Sequence, residues 1–174
     1  MRWMWIDQIV ELDPGKRMVA IKNVSLAEEQ MHDHFAADGS LEPLPVYPAS
    51  LMIEGMAQTA GILVGAARDF KEKVILAKIM RATIDCDVFP GQTIRFEARI
   101  ENLETAGAST KGIVSRTDAA SGQWEVIGHI DLLFSHADQT MTGVGVPEHN
   151  FVFGENLKII LQTAGLAVAV TADH

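Results

Sequence analysis

At 174 residues the chain has room for one domain and little for a second, and with 48% hydrophobic and 21% charged residues it can bury a core without disulfides or metals. Cys86 is its only cysteine, which excludes an internal disulfide and permits a reducing, cytoplasmic setting. Fourteen Lys and Arg against 23 Asp and Glu leave a net charge of −9, which argues against nucleic acid and means that an acidic protein partner would need a local basic patch.

The opening residues carry Arg2 and Asp7 and no long apolar run, so neither a targeting peptide nor membrane insertion is expected. Residues 3–24 predict a β-hairpin. It turns at Asp13-Pro14-Gly15-Lys16, where Pro presets φ and Gly is free to make it positive. Residues 25–47 follow no steady period. Glu28-Glu29-Gln30 suits a short helical turn, and Asp38-Gly39-Ser40 with Pro43, Pro45 and Pro48 predicts a loop. A helix is predicted from Pro48 to about Ala67, with Ser50 as an alternative cap. It is apolar almost all round, the composition of a buried helix. It also holds Gly55, Gly61 and Gly65, and each glycine costs a helix about 1 kcal/mol relative to Ala. Three of them point to close approach by something large, such as a sheet wrapped around the helix.

Four strands are predicted next, over residues 73–86, 93–102, 111–117 and 124–134. The second alternates cleanly, with Ile94, Phe96, Ala98 and Ile100 on one face and Arg95, Glu97, Arg99 and Glu101 on the other, the pattern of a half-buried antiparallel strand. Phe89-Pro90-Gly91-Gln92 and residues 118–122 supply turns. A last helix is predicted over 156–170, where Leu157, Ile160, Leu161 and Ala164 fall at helical spacing. Hairpin, loop, buried helix and consecutive strands together make an α+β domain.

Two residues stand out chemically. Glu54 lies among Met52, Ile53, Gly55 and Met56, where a carboxylate is costly to bury unless it is paired or neutralised. A carboxyl that keeps its proton can act as an acid, and Gln58 one turn on is placed to hydrogen-bond it. The alternative is a structural carboxylate tied to backbone amides, and the residues alone leave both open. His34, in Met31-His32-Asp33-His34-Phe35, has the side chain best suited to proton transfer near neutral pH, although a lone loop histidine is more often simply solvated. His32 and His34 make a poor metal pair, with no cysteine or second histidine pair nearby, so no metal is expected. His129, His136, His149 and His174 sit in no motif, and no nucleophile elbow or phosphate-binding glycine loop occurs.

Taken together, these residues resemble the 3-hydroxyacyl-acyl-carrier-protein dehydratases of bacterial fatty acid synthesis, over about Trp5 to His136. His34-Phe35 matches the start of that family's His-Phe-Pro-Gly motif, and PASLMIEGMAQTAG (Pro48 to Gly61) is similar to its glutamate-bearing helix. Residues 7–17, 20–25, Leu76-Ala77-Lys78-Ile79 and Val88-Phe89-Pro90-Gly91-Gln92 also have counterparts. The resemblance implies a hot-dog fold over residues 1–138, an antiparallel sheet wrapped around the long helix. Residues 139–174 are then a partly helical C-terminal extension. It implies a homodimer or trimer of dimers with sites shared between protomers, His34 from one chain and Glu54 from the other. Phe35, Pro48, Ala49 and Gln58 would lie around the substrate, an acyl carrier protein or coenzyme A thioester, and no cofactor is needed.

In that mechanism His34 takes the α-proton, and the Ala49 amide at the helix N-terminus holds the thioester oxygen. The leaving hydroxyl receives a proton through Glu54, a water, or His34 itself. The Met-rich helix face is a candidate lining for the acyl slot. The sequence departs from the family pattern at Ala36-Ala37 and at Ala49. The 20-position interval from His34 to Glu54 is also longer than the family's, so residues 36–47 form an inserted loop. A hot-dog thioesterase and a non-catalytic acyl-binding relative are the competing readings. The presence of both His34 and Glu54 favours dehydration.

Overall fold

The computed structural model describes residues 4–34, 36–118, 120, 122–137 and 155–165. Its elements in chain order are β1 (Gln8–Asp13), β2 (Arg17–Asn23), α1 (Glu29–Asp33), α2 (Ala49–Ala66), β3 (Lys73–Ile84), β4 (Gln92–Glu104), β5 (Gly107–Asp118), β6 (Glu125–Ala137) and α3 (Glu155–Thr163). The strands form one antiparallel sheet in the order β1-β2-β4-β5-β6-β3. Helix α2 packs against β2, β3, β4, β5 and β6. This is the α+β hot-dog arrangement expected from the sequence. By length and composition α2 could cross a membrane, but 67% of that stretch is buried inside the protein, as in a core helix.

The alternation along β4 decides which face meets the helix. Ile94, Phe96 and Ala98 are fully buried, opposite Lys22, Ala20 and Met18 of β2. Phe96 presses on α2 at Gly55, where a Cβ would fall 2.6 Å from the ring's Cζ. At Gly61 a Cβ would meet Phe134 at an ordinary 3.7 Å. Two glycines of one helix therefore carry opposite expectations. Gly61→Ala should stabilise the fold by about 0.4–1 kcal/mol, through the unfolded chain's lost freedom. Gly55→Ala has the same gain but must displace a fully buried ring, and overpacking of that kind costs about 1–3 kcal/mol, so its net effect is destabilising. Denaturant unfolding of both variants checks the sign.

The outer face of the sheet is charged. Arg17, Arg99, Lys111, Asp131 and Arg81 stand in register across five strands. Glu97 accepts two hydrogen bonds from Arg17, at 3.0 and 2.9 Å, and one from Arg99, which hold its carboxyl at about 2. A groove of about 350 Å³ opens there between Arg81, Glu97, Lys111 and His129. By strand alternation it lies on the side away from α2.

Strand β5 begins at Gly107, four residues before the predicted strand, and β4 runs on to Glu104. Gly107-Ala108-Ser109-Thr110 has no apolar alternation, so the signal is absent locally. Pairing supplies it, since these residues lie against Glu104 to Ile100 and also against β6. The short turn expected near residues 28–30 is α1, and the Phe89 to Gln92 turn has Gly91 at φ +89°. The predicted turn at 118–122 lies partly outside the described residues. So does most of the proposed extension at 139–174, but α3 packs along β1 and buries Ile160 and Leu161.

Candidate active site

Helix α2 begins without a cap. Pro48, its N-cap, is buried and offers no side-chain hydrogen bond, and the first turn holds no acidic residue. Leu51 and Met52 both donate to the Pro48 carbonyl, at 2.9 and 3.3 Å. Among the described residues the Ala49 and Ser50 N–H groups donate to nothing, and both residues are exposed. Two open amides at the positive end of an 18-residue helix dipole form a ready site for a developing oxyanion.

Glu54 lies one turn further in, only partly buried. Gln58 Nε2 donates to its Oε1 at 3.1 Å, the i to i+4 pair of a helix face. The Gln58 amide is itself held, because Trp5 N–H donates to Gln58 Oε1 at 2.8 Å. That bond fixes which end of the amide faces Glu54. Glu54 Oε2 makes no hydrogen bond among the described residues, so one carboxylate oxygen is oriented and the other is available.

Ser50, Ile53, Glu54 and Ala57 form the least buried side of the helix. The methionines do not belong to it. Met52 and Met56 are buried in the core, and Met56 lies against Gly112 of β5. The apolar surface beside the carboxylate is therefore Ile53 and Ala57, a correction to the expected Met-lined slot. Both alternate with buried neighbours in a helix apolar all round, so periodicity could not single them out.

His34 is on a different element. It is the C-cap of α1, its N–H donates to the Gln30 carbonyl at 3.2 Å, and it is exposed. Phe35 lies outside the described residues. The loop at 36–47 exposes Leu41 and Leu44, makes one antiparallel bridge between Asp38 and Leu41, and returns to the core at Tyr47. Tyr47 N–H donates to the Val88 carbonyl at 2.8 Å, which seats the start of α2. Pro48, Ala49, Glu54 and Gln58 thus come from α2 and its cap, and His34 from α1. Among the described residues no three His, Cys, Asp or Glu side chains gather as a metal site.

The arrangement can hold a carbonyl oxygen at the helix start and present a carboxylate one turn away. The FabA-like domain family matches residues 2–126. A 3-hydroxyacyl-[acyl-carrier-protein] dehydratase FabZ from Ruminiclostridium cellulolyticum is 35% identical over 124 residues, 70% of this chain and 83% of the relative. Among solved structures, the dehydratase heterocomplex ApeI:P from Xenorhabdus doucetiae superposes with a TM-score of 0.57 at 16% identity, over 79% of this chain and 85% of that one. An acyl-CoA hydrolase from Staphylococcus aureus, in complex with butyryl coenzyme A, gives 0.54 at 11% identity, over 72% and 68%. At these identities the two structures establish the shared fold.

Proposed function

The chain belongs to the FabA-like family, and from that premise we propose that it is a hydro-lyase that removes water from a 3-hydroxyacyl thioester to give the trans-2-enoyl thioester, in fatty acid or related lipid synthesis. The observation that carries this reading is the uncapped start of α2, with free Ala49 and Ser50 amides one turn from a Gln58-held carboxylate. The amides take the charge that grows on the thioester oxygen as the C2–H bond breaks. His34 accepts that proton. The C3–O bond then breaks, and the hydroxyl leaves as water with the proton of Glu54 in its carboxylic acid form; passage of the proton taken by His34 back to Glu54 through water resets the site. Ile53 and Ala57 flank the acyl chain.

The site is shared between two chains in this reading. Strand β3 is an edge of the sheet, and Ile75, Leu76, Ile79 and Met80 on it are exposed. A long apolar edge strand is a template for pairing and is rarely left open to water. A second copy pairing there would continue the sheet and bring the His34 of one chain toward the Glu54 of the other, in a homodimer or a trimer of dimers. The substrate's carrier is an acyl carrier protein or coenzyme A, and the cytoplasm is the compartment, in keeping with a lone, unpaired Cys86.

Hydrolysis is the competing reaction, since hydrolases share the fold. The test is to incubate the protein with 3-hydroxyacyl thioesters of several lengths on coenzyme A and on acyl carrier protein. Enoyl thioester and free thiol are followed in the same samples. The expected result is enoyl product without thiol release. Thiol release with intact hydroxyacid would make the protein a thioesterase, and saturable binding without either product would make it an acyl-binding relative.

A further inference from the structure

Lys22 is a charged residue where the sheet should be apolar. It stands on the inner face of β2 in line with Met18 and Ala20, opposite Ile94, and is 7% exposed. An ammonium placed there is costly unless it is fully paired. It is paired twice, to Asp7 Oδ1 at 3.3 Å and to Glu28 Oε1 at 3.1 Å. Asp7 is held in turn by the Asn23 N–H at 2.7 Å, and Glu28 by the Ser25 N–H at 3.0 Å and by the Gln30 amide. Both carboxylates add to burial in pushing the neighbouring Tyr47 phenol well above its ordinary range. One ammonium therefore ties together the chain before β1, strand β2, and the residue that opens α1.

Glu28 is the N-cap of α1, yet its side chain makes no capping bond to that helix. It reaches back to Lys22 instead. Helix α1 has five residues, too few to persist alone, and its one buried residue is Met31. Met31 in the core and Glu28 on Lys22 thus both anchor it. Its far end is His34, six positions after Glu28.

We propose that Lys22 is a positioning residue for His34: through Glu28 it fixes the short helix whose C-cap residue is the base. The inference rests on the reading of His34 as the base. Lys22→Met keeps the buried stem and removes the charge, leaving Asp7 and Glu28 to repel each other. With the α2 amides and Glu54 untouched, kcat should fall on the order of 10- to 100-fold while KM changes little, since a small misplacement of a reacting group costs about that much. Lys22→Arg should recover most of the loss. Amides of residues 28–34 should exchange faster in Lys22→Met than in the wild type.

A purely structural Lys22 would lower the unfolding midpoint and leave the kcat of the folded protein unchanged. That result, obtained well below the midpoint in a background where His34→Ala is inactive, overturns the inference and leaves the dehydratase reading standing. An active His34→Ala overturns both. Should Lys22→Met not fold, Glu28→Gln, which removes the negative charge facing Lys22, carries the same comparison of kcat, KM and exchange.

Discussion

His34→Ala is expected to abolish dehydration, with kcat down about 10²- to 10⁴-fold, the range that a positioned acid or base contributes. The fold should be unaffected. His34 is exposed, and alanine keeps its backbone N–H to the Gln30 carbonyl. His32 supplies the control. It is exposed on the same short helix, two residues earlier, so His32→Ala should retain near-normal turnover. Steady-state kinetics with enoyl product as readout, beside thermal unfolding of each variant, separate the cases. Near-normal dehydration by His34→Ala would remove this residue from the mechanism.

A second large effect is expected from mixing two dead proteins. Glu54→Gln keeps the shape of the side chain and its bond to Gln58 but can no longer exchange a proton, so it should be inactive on its own. If sites are shared across β3, a mixed dimer of His34→Ala and Glu54→Gln chains has one site with both native residues and one with neither. Equal amounts with free exchange should recover roughly a quarter of wild-type activity, half of the dimers being mixed and half of their sites intact. Subunit exchange must be shown independently, for example by mass-tagged chains. Exchange without recovery would place His34 and Glu54 of one chain in the same site.

Much of the architecture was legible because the strands are half-buried. The β4 alternation named its own inner face, and the Asp13 to Lys16 and Phe89 to Gln92 turns carry glycines that take positive φ at Gly15 and Gly91. The start of β5 was not legible. Gly107 to Thr110 are small or polar and become strand only through neighbours distant in sequence. Glu54 and Gln58 could be paired from helical spacing alone. The Trp5 N–H that orients Gln58 could not, because 53 residues separate them and a backbone donor leaves no mark on composition. Lys22 was also hidden. In a sequence a lysine in an alternating strand reads as solvent-facing, and only the register against Ile94 shows it turned inward.

The contact between Phe96 and Gly55 has a consequence for the direction of the acid. Successive residues of a helix lie about 100° apart around its axis, so Glu54 and Gly55 are locked at a fixed angle to each other. With the ring seated on bare backbone, α2 cannot roll toward β4 without collision, and rolling away opens a gap in the core. A carboxylate about 6 Å from a helix axis moves about 1 Å for each 10° of roll, a displacement that matters for proton transfer. The sheet thus acts on α2 as a key acts on a shaft. Phe96, itself fully buried, sets the azimuth at which Glu54 enters the site.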